Sequence, residues 1–278
     1  MPADDDLLIM GNAEAFTNRF LQLYHNVPPV RPGVCRICHS GPKDRLDTGE
    51  PYDICASCAR TTAGFHGHSQ YVVPISLAVK DSQLYDVVVR KRDPAGPSGR
   101  MDRLVFLAAT VARFYRTHAE CLAEAAGGPL TMVTTIPSAR LERPIPAFHA
   151  LPKVVQKVGA FDKFKKPILM TNDEFAPVLA ERESHKDAFW VMGGRIDGHR
   201  VLLLDDLFVS GAHVQSAASA LIRHGAAAVV ALVIIRLLDP ESNPHRKRIW
   251  AEARAEPFSF DRCCLRGPTD RHVQPNAH

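Results

Sequence analysis

Apolar residues recur at helical spacing over 11–25 (Ala13, Phe16, Phe20, Leu21, Tyr24), and Pro28, Pro29 and Pro32 end that segment. The chain then turns rich in Gly, Asp, Thr and His and poor in apolar residues as far as Ser69, too poor to build a core of its own. From Tyr71 the texture becomes strand-like, in Tyr71–Ile75 and again in Leu84–Val89. A polar break from Lys91 to Gly99 follows and reads as a surface loop. Leu104, Leu107, Ala108, Val111, Phe114 and His118 fall at three- and four-residue steps, predicting a long amphipathic helix over Asp102–Ala125 that Gly127-Gly128 stops.

A strand is expected at Leu130–Ile136, and a Pro- and Lys-rich region through Pro167 holds a helix near Leu151–Val158. A second short helix is expected near Phe175–Arg182. Strands follow at Ala188–Met192, Val201–Leu204 and Ala227–Leu237, with a helix at Val214–His224 between the last two. Strand and helix alternate, so the pattern predicts an α/β fold with a mostly parallel sheet. There is no internal repeat. The chain divides into a leader with an N-terminal helix (1–33), a small cysteine-bearing module (34–69), an α/β domain (70–265) and a flexible tail (266–278).

Composition narrows the function classes. With 278 residues, 46% hydrophobic and 23% charged, the chain is neither disordered nor fibrous. Thirty-four Lys and Arg against 30 Asp and Glu is mildly basic, short of the dense positive stripe of a dedicated duplex-DNA binder. The start, Met1-Pro2-Ala3-Asp4-Asp5-Asp6, is acidic where a secretory signal is basic, and no apolar run approaches the ~18 residues of a membrane span. The reading is therefore a cytoplasmic protein without membrane insertion.

Seven cysteines is an odd number, and four of them form two Cys-x-x-Cys pairs, which in a reducing compartment points to metal and not to disulfides. Cys35-Arg36-Ile37-Cys38 is separated by sixteen residues from Cys55-Ala56-Ser57-Cys58. Each pair sets two thiolates on a tight turn, and two facing turns give the tetrahedral four-sulfur shell that zinc prefers. Cys35, Cys38, Cys55 and Cys58 are thus the expected ligands of a structural Zn2+, which would staple a segment with too few apolar residues to fold alone. His39, His66 and His68 read as surface residues. His118 and Cys121 read as core or boundary residues of the long helix, adjacent Cys263 and Cys264 as buried inert thiols, and Phe258 and Phe260 as tail residues docked on the domain.

The second motif is Val201-Leu202-Leu203-Leu204-Asp205-Asp206-Leu207-Phe208-Val209-Ser210-Gly211-Ala212-His213. Four consecutive apolar residues describe a strand buried on both faces, so the two carboxylates come at its C-terminal end, where open α/β sheets bind ligands. Ser210-Gly211-Ala212 opens a loop into a helix whose amino terminus favours an anion. Carboxylates beside a phosphate cradle suit a ribose phosphate, with two sugar hydroxyls on the acids and the 5′-phosphate on the amides. Read alone, the pair is also compatible with strand-end polar residues and a capping role.

The run Val201–His213 resembles the phosphoribosyl-pyrophosphate (PRPP) signature of type I phosphoribosyltransferases: four apolar residues, two acids and a hydroxyl-rich glycine loop. Together with the four-cysteine ribbon, the chain resembles the ComF family of competence-associated, amidophosphoribosyltransferase-like proteins. Leu84–Lys91, Ile136–Arg143 and the stretch Ala180–Phe189 resemble further family segments, so the likeness runs from about Cys35 to Leu238. Val209 and His213 stand where the family has hydroxyl residues, Arg143 is followed by Pro144-Ile145-Pro146 in place of Gly-Phe-Asn, and the family's Thr and Gln between Leu169 and Leu179 are not evident.

The resemblance implies a type I phosphoribosyltransferase sheet and transfer of ribose 5-phosphate from PRPP to a nitrogen acceptor, with release of pyrophosphate. It assigns Asp205 and Asp206 to the ribose hydroxyls, Val209, Ser210, Gly211, Ala212 and His213 to the 5′-phosphate, and Ser138, Ala139 and Arg140 to pyrophosphate. Mg2+ would accompany the substrate, and Arg143 or one of Lys163, Lys165 and Lys166 would cover the departing pyrophosphate. That lysine cluster also reads as a solvated loop face. An alternative from a different class stays open: a non-enzymatic ComF-type accessory protein handling single-stranded DNA with a helicase partner. Aromatics are 7% of the chain, and only Phe161 and Phe164 interleave with lysines in the manner of a single-strand groove.

Overall fold

Successive side chains of a strand face opposite sides of its sheet, so a strand covered on both sides needs an unbroken apolar run. In the computed structural model, which describes residues 12–90, 94, 102–137 and 150–266, that run is the middle of the sheet. Strand β1 (Tyr71–Ala78), β2 (Met132–Thr135), β5 (Arg200–Phe208) and β6 (Ala228–Leu237) form a four-stranded sheet in the order β1-β6-β5-β2. Every pair in it is parallel. Pro74, which cannot donate to a ladder, lies on edge strand β1, where one side needs no donor.

The two faces bury different halves of the same strands. Leu202 and Leu204 of β5 pack with Val230, Leu232 and helix α4 (Arg103–Ala125), through Phe106, Leu107, Val111 and Phe114. Val201 and Leu203 pack on the other side with Val229, Ala231 and helix α7 (Ala212–Arg223), through Val214, Ala217, Ala218 and Leu221. The four cysteines of the ribbon belong to this second cluster, so the ribbon covers part of one sheet face. The Val72 amide donates to the Ile37 carbonyl at 3.2 Å, fixing the ribbon to β1.

Several expected elements appear with altered bounds. Residues 12–18 form helix α1, and a 3-10 turn at Leu21–Leu23 replaces the rest of the helix expected to residue 25. Helix α2 (Ala56–Thr62), which carries Cys58 and is capped at Cys55, has no sequence expectation. Leu84–Val89, expected as a strand, is helix α3 (Gln83–Val88). The Ser82 side chain caps it by accepting from the Tyr85 amide, and buried Leu84, Val87 and Val88 share one helical face. Helix α5 (Ala150–Lys157) matches its expectation closely, whereas α6 (Ala176–Ala180) follows a separate 3-10 turn at Asp173–Phe175.

Strand β3 (Ile168–Thr171), which the sequence did not signal, pairs antiparallel with β4 (Phe189–Met192) in a two-stranded sheet beside β2. Ile168, Met170, Trp190 and Met192 are each at least half exposed there. Helix α8 (Pro244–Ala255) was also unforeseen, although Asn243 caps it and Pro244 occupies its first turn. Its Ile249 and Ala253 pack with Val34, Leu77 and Leu238. No helix among the described residues is long and apolar enough to cross a membrane.

Candidate functional site

The first half of the candidate site is a buried group of four thiols. Cys35 and Cys38 flank a turn in which the Cys35 amide donates to the Ser40 carbonyl at 2.6 Å and the His39 amide to the Cys35 carbonyl at 2.9 Å. Cys55 is the N-cap of α2, and Cys58 lies in its first turn. The Arg36 amide donates to the Asp53 carbonyl at 2.9 Å, joining the two turns.

All four ligand atoms lie within 4.8 Å of one another, and Cys38 Sγ is 3.7 Å from Cys55 Sγ. Sulfurs about 2.3 Å from a tetrahedral ion would stand ~3.8 Å apart. The Cys55 amide donates to Cys35 Sγ at 3.3 Å, the kind of outer contact that steadies a thiolate. The donor set and spacing can hold a metal such as zinc. His39, expected at the surface, is buried; its Nδ1 lies 3.0 Å from the Pro28 carbonyl and takes no place in the shell.

Arg236 links this group to the second half. It sits near the end of β6 at 2% exposure, and its Nη1 donates to the carbonyls of Phe208 (3.1 Å), Val209 (2.8 Å) and Leu237 (2.6 Å). Burial works against its charge, but Cys38, Cys55 and Cys58 together outweigh that and strengthen it. Cys38 in turn is held well below the ordinary thiol range by hydrogen bonds from Cys35, Cys55 and Cys58, with a smaller contribution from Arg236. Arg236 Nε is buried with no hydrogen-bond partner, while the side chain interacts with Cys38. A zinc ion with four thiolates carries a net charge of about −2, which this guanidinium offsets.

The second half is the C-terminal end of β5. The strand runs to Phe208, further than the expected Val201–Leu204, so Asp205 and Asp206 lie on it, half-buried, with Asp205 in register with Val233. The Asp206 amide donates to Asp205 Oδ1 at 2.9 Å. Burial, and then the neighbouring Asp206, push the Asp205 carboxyl well above the usual carboxylate range. Strand alternation turns Asp206 toward the α4 side. The charge of Arg103 there interacts with Asp206 while its guanidinium donates to the carbonyls of Val87 (2.7 Å) and Val88 (2.6 Å).

Beyond Phe208 the loop turns sharply. Gly211 has φ 95°, and a Cβ there would lie 2.7 Å from the Phe208 ring, so glycine is required twice over. Ser210 Oγ accepts from the Ala212 amide at 3.3 Å, a bond that uses an oxygen lone pair and not the hydroxyl proton. His213 lies on the first turn of α7, and burial lowers its pKa, favouring the neutral ring and weakening any charge it could offer an anion.

A cleft of ≈490 Å³ opens beside this loop. Val209 and Ser210 line it with Arg60 from α2, Lys80 and Asp81 beyond β1, Arg182, Asp239 beyond β6, Arg246 from α8, and Arg236. Five cations against two carboxylates make it a positive cavity at the C-terminal edge of a parallel sheet, where ligands of such sheets bind. Arg60, Arg182 and Arg246 carried no expectation, because no local pattern marks residues that only the fold brings to one rim.

Ser138, Ala139, Arg140 and Arg143, with Lys91, fall outside the described residues. Of the lysine cluster, Lys166 Nζ donates to the Phe161 and Phe164 carbonyls (2.8 and 3.1 Å), and Lys165 Nζ lies 3.3 Å from His199 Nε2. No protein-family model matches the chain, and no curated protein matches it.

Proposed function

We propose that the chain is a PRPP-binding, phosphoribosyltransferase-like protein of the ComF kind. The observation that carries this reading is the order Asp205-Asp206, Gly211 turn, α7 at the C-terminal end of a central parallel strand, beside a cleft of net positive charge. In this reading Asp205 and Asp206 accept hydrogen bonds from the ribose hydroxyls, and the amides of Val209–His213 with Ser210 meet the 5′-phosphate. Ser138, Ala139, Arg140 and Arg143 take the pyrophosphate.

The C1–O bond to pyrophosphate breaks with its electron pair as a nitrogen acceptor forms the new C1–N bond, and the protein's share is positioning and charge. Among the described residues, no third acidic or histidine donor stands close enough to the acidic pair to complete a metal group. Mg2+, which keeps water and phosphate ligands, would be held mainly by the substrate's own phosphates and would neutralise the leaving group. In the four-cysteine group we assign a structural Zn2+ to Cys35, Cys38, Cys55 and Cys58.

The second reading, a non-enzymatic accessory protein for single-stranded DNA, is favoured by one observation: the cleft cations Arg60, Arg182 and Arg246 flank a loop in which Val209 and His213 carry no hydroxyl, leaving Ser210 alone to donate one to a phosphate. Calorimetric titration of PRPP with Mg2+ into the wild type and into Asp205→Asn/Asp206→Asn separates the two. Saturable binding that the double variant loses supports the first reading. No binding to the wild type, with salt-dependent binding of an oligodeoxynucleotide, supports the second.

A further inference from the structure

Three cysteines lie outside the ribbon, and the fold brings two of them, Cys121 and Cys263, together with a histidine. Helix α4 departs from helical geometry at His118 (φ −121°, ψ 19°), close to where the C-terminal segment crosses it. His118 and Cys121 are one turn apart on that helix, and Cys263 arrives from a segment without regular secondary structure. His118, Cys121 and Cys263 are buried, at 1%, 2% and 9% exposure, and their ligand atoms lie within 4.8 Å of one another.

The imidazole is set for ligation. His118 Nε2 is 2.7 Å from the Phe260 carbonyl, which can only accept, so Nε2 carries the proton and Nδ1 presents its lone pair. Nδ1 is 3.8 Å from Cys121 Sγ, against ~3.6 Å for nitrogen and sulfur on one tetrahedral zinc. An outer carbonyl holding the far ring nitrogen is the usual companion of a metal-bound histidine.

We propose that His118 Nδ1, Cys121 Sγ and Cys263 Sγ hold a second zinc-type divalent ion, separate from the four-cysteine group. Thiolate with imidazole selects zinc over hard cations, and donors this close together suit a single ion better than a multi-iron cluster. Cys264, buried at 3% and in side-chain contact with Cys263, stands outside the group whose ligand atoms all lie within 4.8 Å, so the fourth position falls to a ligand from solution. Binding displaces the thiol protons to solvent and leaves no redox change. The ion ties Phe258–Arg266 to α4, and with it the aromatic contact of Phe258 and Phe260 with Tyr24.

The test is a zinc count on full-length protein purified under reducing conditions and loaded with Zn2+. Mercurial titration of the wild type is expected to release about two equivalents, where the ribbon alone gives about one. Cys121→Ser/Cys263→Ser is expected to lose one equivalent and to exchange amide hydrogens faster over Phe258–Arg266, while Cys55→Ser/Cys58→Ser keeps the second ion. A wild-type total of about one equivalent that Cys55→Ser/Cys58→Ser abolishes overturns the proposal, as does an unchanged count in the Cys121 and Cys263 variant. A Cys121–Cys263 disulfide in the freshly purified, reduced protein overturns it too. Should that variant not fold, Co2+ loading of Cys55→Ser/Cys58→Ser decides: a thiolate-to-cobalt band supports the site, and its absence removes it.

Discussion

Replacing Arg236 with Met keeps most of the side-chain volume and deletes a buried charge. The structure gives that charge two tasks: facing the thiolates, and donating from Nη1 to the carbonyls of Phe208, Val209 and Leu237. Removing one partner of a buried ionic contact costs about 3–5 kcal/mol, and each buried carbonyl left without a donor about 1–3 kcal/mol in a sum that is not additive. Taking ~3–5 kcal/mol as the total, the zinc-loaded variant should melt roughly 6–20 °C below wild type at 2–4 °C per kcal/mol. Differential scanning fluorimetry with and without a zinc chelator separates the tasks. Once zinc is stripped, Cys55 and Cys58, pushed above the ordinary thiol range, take up protons while Cys38 stays ionised, so the ionic part weakens and the deficit should shrink without falling to the ~1–3 kcal/mol of the carbonyls alone. Arg236→Lys retains charge without the fork and should fall between the two. A zinc-loaded Arg236→Met protein within ~2 °C of wild type, or a deficit equal with and without zinc, would refute the assignment.

Two further outcomes follow from the acidic strand end. Gly211→Ala meets both a positive φ and the Phe208 ring, so it should destabilise by about 1–3 kcal/mol in urea unfolding and weaken PRPP binding more than substitutions elsewhere on α7. Because the folded protein raises the Asp205 pKa, it binds that proton more tightly than the unfolded chain. Stability from this group is therefore present below the ordinary carboxylate pKa and falls as pH rises through the raised one. Asp205→Asn should accordingly raise the melting temperature by a few degrees at pH 7, with a gain that shrinks toward pH 4, while PRPP binding is lost; a gain independent of pH would remove the linkage argument.

The sequence exposed those features whose cause is local. Four apolar residues before Asp205 imply a strand covered on both faces, and β5 is one; paired Cys-x-x-Cys turns imply a four-sulfur group, and the four sulfurs meet. Leu84–Val89 misled because three valines carry strand propensity, whereas Leu84, Val87 and Val88 already had helical spacing and Ser82 stood ready as a cap. Helix α8 has a local start signal in Asn243-Pro244 but a weak periodic one, since its buried apolar face is only Ile249 and Ala253. Other features had no local cause to read. Arg60, Arg182, Arg236 and Arg246 come from separate elements, and Cys121 and Cys263 meet only because the C-terminal segment folds back on α4.

The strand order has a consequence for how the molecule is made. Strand β1 pairs with β6, Tyr71 opposite Val230, so a strand translated early must wait for one translated late. At ~5–20 residues per second that interval is roughly 8–32 s, during which Val72–Leu77 emerges without its ladder. The ribosome thus releases a chain whose first strand is already long exposed, apolar on both faces and open to pairing with other nascent chains. Any C-terminal truncation that removes β6 makes that interval permanent, so its expected product is aggregate and not a shortened domain.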